Sequence, residues 1–158
     1  MRTFSLLKGQ PVFDQQNGSK LGEVSDLCMT NSGMVKGLLV KKGALFKQVC
    51  FLPINNVASF GWDGVMINGV NQMEKLIGEP EYTFAHQHSL NGKLLLSKNG
   101  DTLGLLQDVY FQEELGTIVG YEVTDGFFAD LSEGKQIIQI KTPPTIGKDA
   151  IIVDVNNT

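Results

Sequence analysis

Residues 18–27 read GSKLGEVSDL, and residues 100–109 read GDTLGLLQDV. The second phrase rewrites the first 82 positions later: Gly18 falls on Gly100, Leu21 on Leu103, Gly22 on Gly104 and Asp26 on Asp108. One extra residue in the second copy moves the offset to 83, so that Gly33 meets Gly116, Val35 meets Ile118, Gly37 meets Gly120 and Val40 meets Val123. Leu7 and Gly9 match Leu90 and Gly92, while DGVMI at 63–67 matches DAIIV at 149–153. The correspondence runs over about residues 6–68 and 89–155, which is most of the chain. The expected layout is a first repeat over 1–69, a short helix and linker over 70–88, and a second repeat over 89–158.

Each copy reads as β structure. After the turn at Asn17-Gly18, the segment LGEVSDLCM places Leu21, Glu23, Ser25 and Leu27 on one face and Gly22, Val24, Asp26 and Cys28 on the other. Asn31-Ser32-Gly33 suits a hairpin turn, because Asn and Gly tolerate positive φ. VKGLLVKK returns as the partner strand, QVCFLPI makes a third pass ending at a proline, and GVMIN closes the copy. LGLLQDVYF, TIVGYEV, KQIIQIK and AIIVDV repeat the plan. Five or six short strands in about 65 residues predict a small barrel, closed or nearly so. A unit of that size buries only about 60% of its unfolded surface, so packing two copies together has a stabilising purpose of its own. Between the copies, Asn71 with Glu74 resembles a capping box, and Gly78 and Pro80 supply stop signals. One or two helical turns are expected over 72–77.

The chain has 158 residues, 42% hydrophobic and 19% charged, with 18 glycines and a net charge of −4. These values describe a globular, turn-rich acidic protein. The acidic balance argues against DNA as a partner and confines any phosphate-binding face to a local patch. The start of the chain offers too short an apolar stretch for a signal-peptide core, and no run of about 18 apolar residues predicts membrane insertion. Cytoplasmic localisation is the expectation. Cys28 and Cys50 sit in apolar strand-like surroundings without metal-ligand spacing, so both are expected as reduced, buried thiols.

Several constellations carry possible chemistry. Asp26 and Asp108 bring one carboxylate from each copy, as aspartic proteases do, but no Asp-Thr-Gly turn accompanies them. Their expected role is to accept backbone N–H bonds near the hairpin. His86 and His88 stand two apart in FAHQHS and, if extended, share a face, which could begin a metal site with Glu79 or Glu81. Two solvated linker histidines are the plainer expectation, and no metal or other cofactor is assigned. Gly18, Gly22, Gly37, Gly100, Gly104 and Gly120 fit turns, bulges and close backbone approach, since no phosphate-binding or nucleophile-elbow glycine pattern occurs. No catalytic residue emerges. Lys36, Lys41, Lys42 and Lys47 surround Leu45 and Phe46 in the first long hairpin, and Phe127 and Phe128 occupy its acidic counterpart, TDGFFADLSEGKQ. These tips are the candidate interface, for a protein partner or for self-association; the lysines equally suit a role in blunting a sheet edge. Trp62, in GWDG, is expected as a turn residue folding onto its own barrel, with an interface anchor as the alternative.

These phrases resemble the PRC-barrel family: a turn glycine, Leu-Gly-x-Val-x-Asp-hydrophobic, a hairpin, a strand with an internal glycine, Leu-Pro, and a closing Asp-Ala-hydrophobic strand. Copy one shows GSKLGEVSDL, VKGLLV, FLP and DGVMI; copy two shows GDTLGLLQDV, IVGYEV and DAIIV, departing at Gln107 and lacking the Leu-Pro. The family includes the cytoplasmic part of the photosynthetic reaction-centre H subunit and the C-terminal domain of a ribosome-maturation factor. The resemblance implies an all-β chain of two tandem PRC-type barrels acting as a non-catalytic docking module. The maturation factor keeps a role in RNA metabolism or ribosome assembly as an alternative, and a small-ligand or metal-binding protein is a third.

Overall fold

The computed structural model describes residues 1–43, 48–78, 80–124 and 135–155. In chain order these form β1 (Arg2–Thr3), α1 (Phe4–Leu7), β2 (Pro11–Asp14), β3 (Lys20–Met29), β4 (Val35–Lys42), β5 (Gln48–Pro53), β6 (Val57–Phe60) and β7 (Val65–Ile67). There follow β8 (Glu74–Lys75), β9 (Tyr82–Thr83), β10 (Leu94–Ser97), β11 (Thr102–Phe111), β12 (Ile118–Thr124), β13 (Lys135–Gln139), β14 (Thr145–Ile146) and β15 (Ala150–Val153). One sheet has the order β6-β7-β2-β3-β4-β5-β8 and the other β13-β12-β11-β10-β15-β14. The plan is the same twice. In each, an antiparallel meander is joined at its first strand by a parallel last strand, Val12 opposite Val65 in one and Leu95 opposite Ile151 in the other. Two tandem all-β units are therefore what the fold contains, each a strongly curled sheet.

The local rules of the quoted phrase hold until its aspartate. Gly22, Val24, Asp26 and Cys28 are buried, while Leu21, Glu23 and Ser25 are half-exposed. The alternation then breaks, because the register with β4 shifts between Val24 and Asp26. A bulge inserts a residue and bends the strand. Beyond it Leu27 and Met29 are buried as well, against the expected face assignment of Leu27. The same shift occurs in β11 between Leu106 and Asp108. The duplicated aspartate thus marks a duplicated bulge.

The two units are interlocked through an exchange of opening strands. β1, which begins the first repeat, pairs with β11 of the second, Thr3 opposite Tyr110. β9, which leads into the second repeat, pairs with β3 of the first, Thr83 opposite Cys28. Phe4 and Phe84 follow these strands and meet with ring centroids 4.8 Å apart. The β3–β4 and β11–β12 turns also touch: Val35 N–H donates to the Gly116 carbonyl at 2.8 Å. A Cβ at Gly116 would lie 2.1 Å from the Val35 oxygen, and its φ of +74° is left-handed, so this contact requires glycine. One continuous apolar core results, joining Leu27, Leu38 and Leu52 to Leu106, Phe111 and Tyr121.

The stretch between the repeats differs from the helix expected over 72–77. A single 3-10 turn spans Val70–Gln72, and Glu74–Lys75 is a strand lying antiparallel on β5. So short a helix has too few internal hydrogen bonds to offset its nucleation, whereas strand pairing satisfies backbone groups at the β5 edge. Nor is 82–88 a free tether, since it carries β9 and the turn that docks on β3.

Candidate functional site

The aspartates do the same structural task at opposite junctions. Asp26 is fully buried and accepts the N–H of Leu27 at 2.8 Å, of Phe84 at 3.0 Å and of Ala85 at 3.0 Å. His86 Nδ1 lies 2.5 Å from its other oxygen. Asp108, 5% exposed, accepts the Val109 N–H at 2.9 Å, the Ser5 N–H at 3.2 Å and the Ser5 hydroxyl at 2.5 Å. Each bulge aims its carboxylate at the incoming strand of the other repeat. The acceptor role expected from the sequence is there, but the principal donors are residues 58 to 103 positions away, not the adjacent hairpin. The acids belong to separate networks, so a protease-like shared proton has no geometric basis.

The two histidines do not share a strand face. Residues 84–88 form bends and a turn, with His88 at a φ of +49°. His86 packs against Asp26 with its side chain 51% exposed. Glu79, one suggested further ligand, lies outside the described residues; Glu81 instead accepts the Asn31 N–H at 3.2 Å and stands 4.0 Å from Lys36. Among the described residues no group of three metal-ligating side chains converges.

Two hollows flank residues 74–77 and 80–81 on the outside of repeat one. The larger, about 600 Å³, is lined by Met29, Lys36, Phe51, Leu76, Ile77 and Glu81. The smaller, about 250 Å³, lies between Leu39, Lys41, Val49 and His86 and shares Leu76 and Pro80 with the first. Ile77 stands on the rim of the larger, 90% exposed. Of the hairpin residues nominated from the sequence, Lys41 and Lys42 end β4; Leu45, Phe46, Lys47, Phe127 and Phe128 lie outside the described residues. Lys41 lines the smaller hollow and Lys42 neighbours it in chain, so part of the nominated region does border a concave surface.

Trp62 corrects its expectation. Its ring is 85% exposed, and its turn is held by Gln10 donating to the Trp62 carbonyl at 2.9 Å. The Arg2 guanidinium sits 5.7 Å from the ring centroid and donates to the carbonyls of Phe60 and Gly61. Cys28 and Cys50 are free and buried. Desolvation, with the Asp26 charge adding to it, pushes the Cys28 thiol up to about 12, so it is a packed apolar group and a poor nucleophile.

The repeat glycines divide by role. Gly18 and Gly100 have φ of +74° and +88° in open turns. Gly22, Gly37 and Gly104 admit a neighbouring backbone: an added Cβ would fall 2.5 Å from the Lys41 oxygen, 2.2 Å from the Leu52 oxygen and 2.4 Å from the Thr124 oxygen. Gly120 has more room, its nearest neighbour being 3.4 Å away. The exchanged strands were signalled by a clue finer than the main repeat. Thr3-Phe4 and Thr83-Phe84 are the same dipeptide ahead of the matched Leu7 and Leu90. The His86–Asp26 contact had no signal in spacing.

Comparison with known proteins agrees with this architecture. The PRC-barrel domain model matches residues 1–73 and again 83–158, so the chain belongs to the PRC-barrel family. It is also 34% identical over 156 residues to the uncharacterized protein YrrD of Bacillus subtilis (strain 168), an alignment covering 98% of this chain and 88% of that one. No helix among the described residues is long and apolar enough to cross a membrane.

Proposed function

We propose that this PRC-barrel protein is a non-catalytic adaptor of the cytoplasm, docking an extended apolar segment of a partner protein in the larger hollow of repeat one. The observation that carries this is Ile77: a large aliphatic side chain 90% exposed at the edge of a 600 Å³ groove whose wall includes Phe51 and Met29. Contact surfaces place a few apolar anchors in a concave patch and surround them with polar groups. Here the rim carries both signs of charge, Lys36 and Lys75 with Glu74 and Glu81. That mixture suits a protein segment better than a nucleic-acid backbone, which needs one sign. Two buried free cysteines suit a reducing compartment.

The test is a paired capture from native-host lysate, with and without nuclease, using wild type and Ile77→Asp. Ile77 makes no core contact, so the variant keeps its circular dichroism spectrum and melting temperature. A discrete protein retained by wild type through nuclease and lost at least tenfold with Ile77→Asp is the expected result. Equal capture by both chains rules out this groove. Loss of all binding on nuclease treatment moves the function to RNA.

A further inference from the structure

We propose that the smaller hollow is a binding site for a small aliphatic carboxylate, with His86 and Lys41 as the groups that hold its charge. The hollow shares Leu76 and Pro80 with the groove assigned to the partner, and the inference does not depend on that assignment.

Asp108 obtains its side-chain donor from Ser5, at 2.5 Å, and needs no ring. The residue after Ser5 is Leu6, just as His86 follows Ala85. At the Asp108 junction, then, a hydroxyl satisfies the buried carboxylate; at the Asp26 junction an imidazole does so while half its surface stays in contact with solvent. Holding the strand requires only a donor, so the imidazole adds a capability the other junction lacks.

With His86 Nδ1 directed at Asp26, the nitrogen remaining for the hollow is Nε2. A carboxylate behind one nitrogen fixes the ring and designates the other as the one that works, donating when the ring is protonated. Asp26 is itself immobilised by the Leu27, Phe84 and Ala85 amides, so His86 is held against a rigid support.

Lys41 brings a cationic group from β4, and no carboxylate of the described residues forms an ion pair with it. Leu39, Val49, Leu76 and Pro80 form apolar walls, and Gln87 adds a polar side chain. A lysine ammonium and an imidazole nitrogen that donates once its ring is protonated, set beside an aliphatic wall, match one carboxylate with a short hydrocarbon tail. At about 250 Å³ the hollow falls below the ~300 Å³ where drug-sized ligands begin, which limits the tail to a few carbons. Inorganic phosphate would leave the apolar wall unused, and an alcohol would leave the charges unanswered.

The test is a titration of the full-length protein, labelled with ¹⁵N, with hexanoate, followed by amide and histidine-ring resonances. Hexanol and inorganic phosphate serve as parallel probes. Hexanoate is expected to give saturable shifts at His86, Gln87 and Val49, with hexanol and phosphate at least tenfold weaker. His86→Gln and Lys41→Gln should each weaken hexanoate binding at least tenfold; Lys41 is on the surface and its replacement leaves the fold in place. Absence of saturable shifts with hexanoate, or equal shifts in Lys41→Gln, overturns the proposal.

Discussion

Asp26 and Asp108 occupy matching bulges, yet they hold their visiting strands differently. Asp26 takes two amides, Phe84 and Ala85, plus an imidazole; Asp108 takes one amide and one hydroxyl, both from Ser5. The comparison separates what the fold needs from what it tolerates. A buried acceptor at the bulge and a main-chain donor on the incoming strand are common to both junctions. The side-chain donor varies, and the variation leaves a half-exposed histidine on only one side. The repeats diverge in the same way at their rims: β5 is covered by β8, whereas no strand among the described residues covers the outer side of β13.

The largest effect expected from breaking this comparison is removal of the acids. Asp26→Ala strands several buried donors and should cost about 3–5 kcal/mol, while Asp108→Ala, with fewer cross-repeat bonds, should cost about 2–3 kcal/mol. Urea denaturation of both variants checks the order, and an Asp108→Ala loss larger than that of Asp26→Ala would reverse it. Next comes the hairpin contact. Gly116→Ala places a methyl against the Val35 carbonyl and strains φ as well, for about 3 kcal/mol, whereas Gly18→Ala, in an open turn of the same φ, should cost about 1 kcal/mol. Equal melting temperatures for these two variants would mean that the hairpins do not touch in solution. Ser5→Ala removes one hydroxyl donor but keeps the amide, and about 1 kcal/mol is expected by the same denaturation assay.

The smallest effect concerns Cys28, whose counterpart in the second repeat is Tyr110. Its thiol titrates at about 12 in the folded protein against 9.0 for an ordinary one. The folded state therefore keeps a proton that the unfolded state releases. The resulting stability is intact below about pH 9 and declines as pH rises from there toward 12. A thiol reagent at about pH 8 should label Cys28 at least a hundredfold more slowly in native protein than in urea. Rapid native labelling would show that the β3–β9 seam opens locally.

Much of the fold could be read from residues because its signals are local. Gly18, Gly100 and the Asn-Ser-Gly turn announce their backbone geometry, and the alternation through Val24 announces a strand. The bulge at Ser25-Asp26 has no local signature, so Leu27 was placed on the wrong face. The helix over 72–77 failed because pairing of Glu74–Lys75 with β5, a tertiary interaction, overrode a weak capping pattern. The candidate site was less legible still. Asp26 stands out in the sequence as a repeated position, but its partner His86 lies 60 residues away, and only the fold brings them together. Trp62 lies 85% exposed on its GWDG turn, and nothing in those four residues tells whether such a ring folds back or faces outward.

The central claim is that the two repeats exchange their opening strands and share one core. Residue-resolved amide hydrogen exchange tests it most directly, through the N–H of Phe84, bonded to Asp26, and of Val35, bonded to Gly116. The account predicts that both exchange only through global unfolding, at the same free energy as core amides such as Leu27 and Leu106. Fast exchange at Phe84 and Val35 beside slow exchange in each core would contradict it, describing two barrels that fold separately and merely lie against each other.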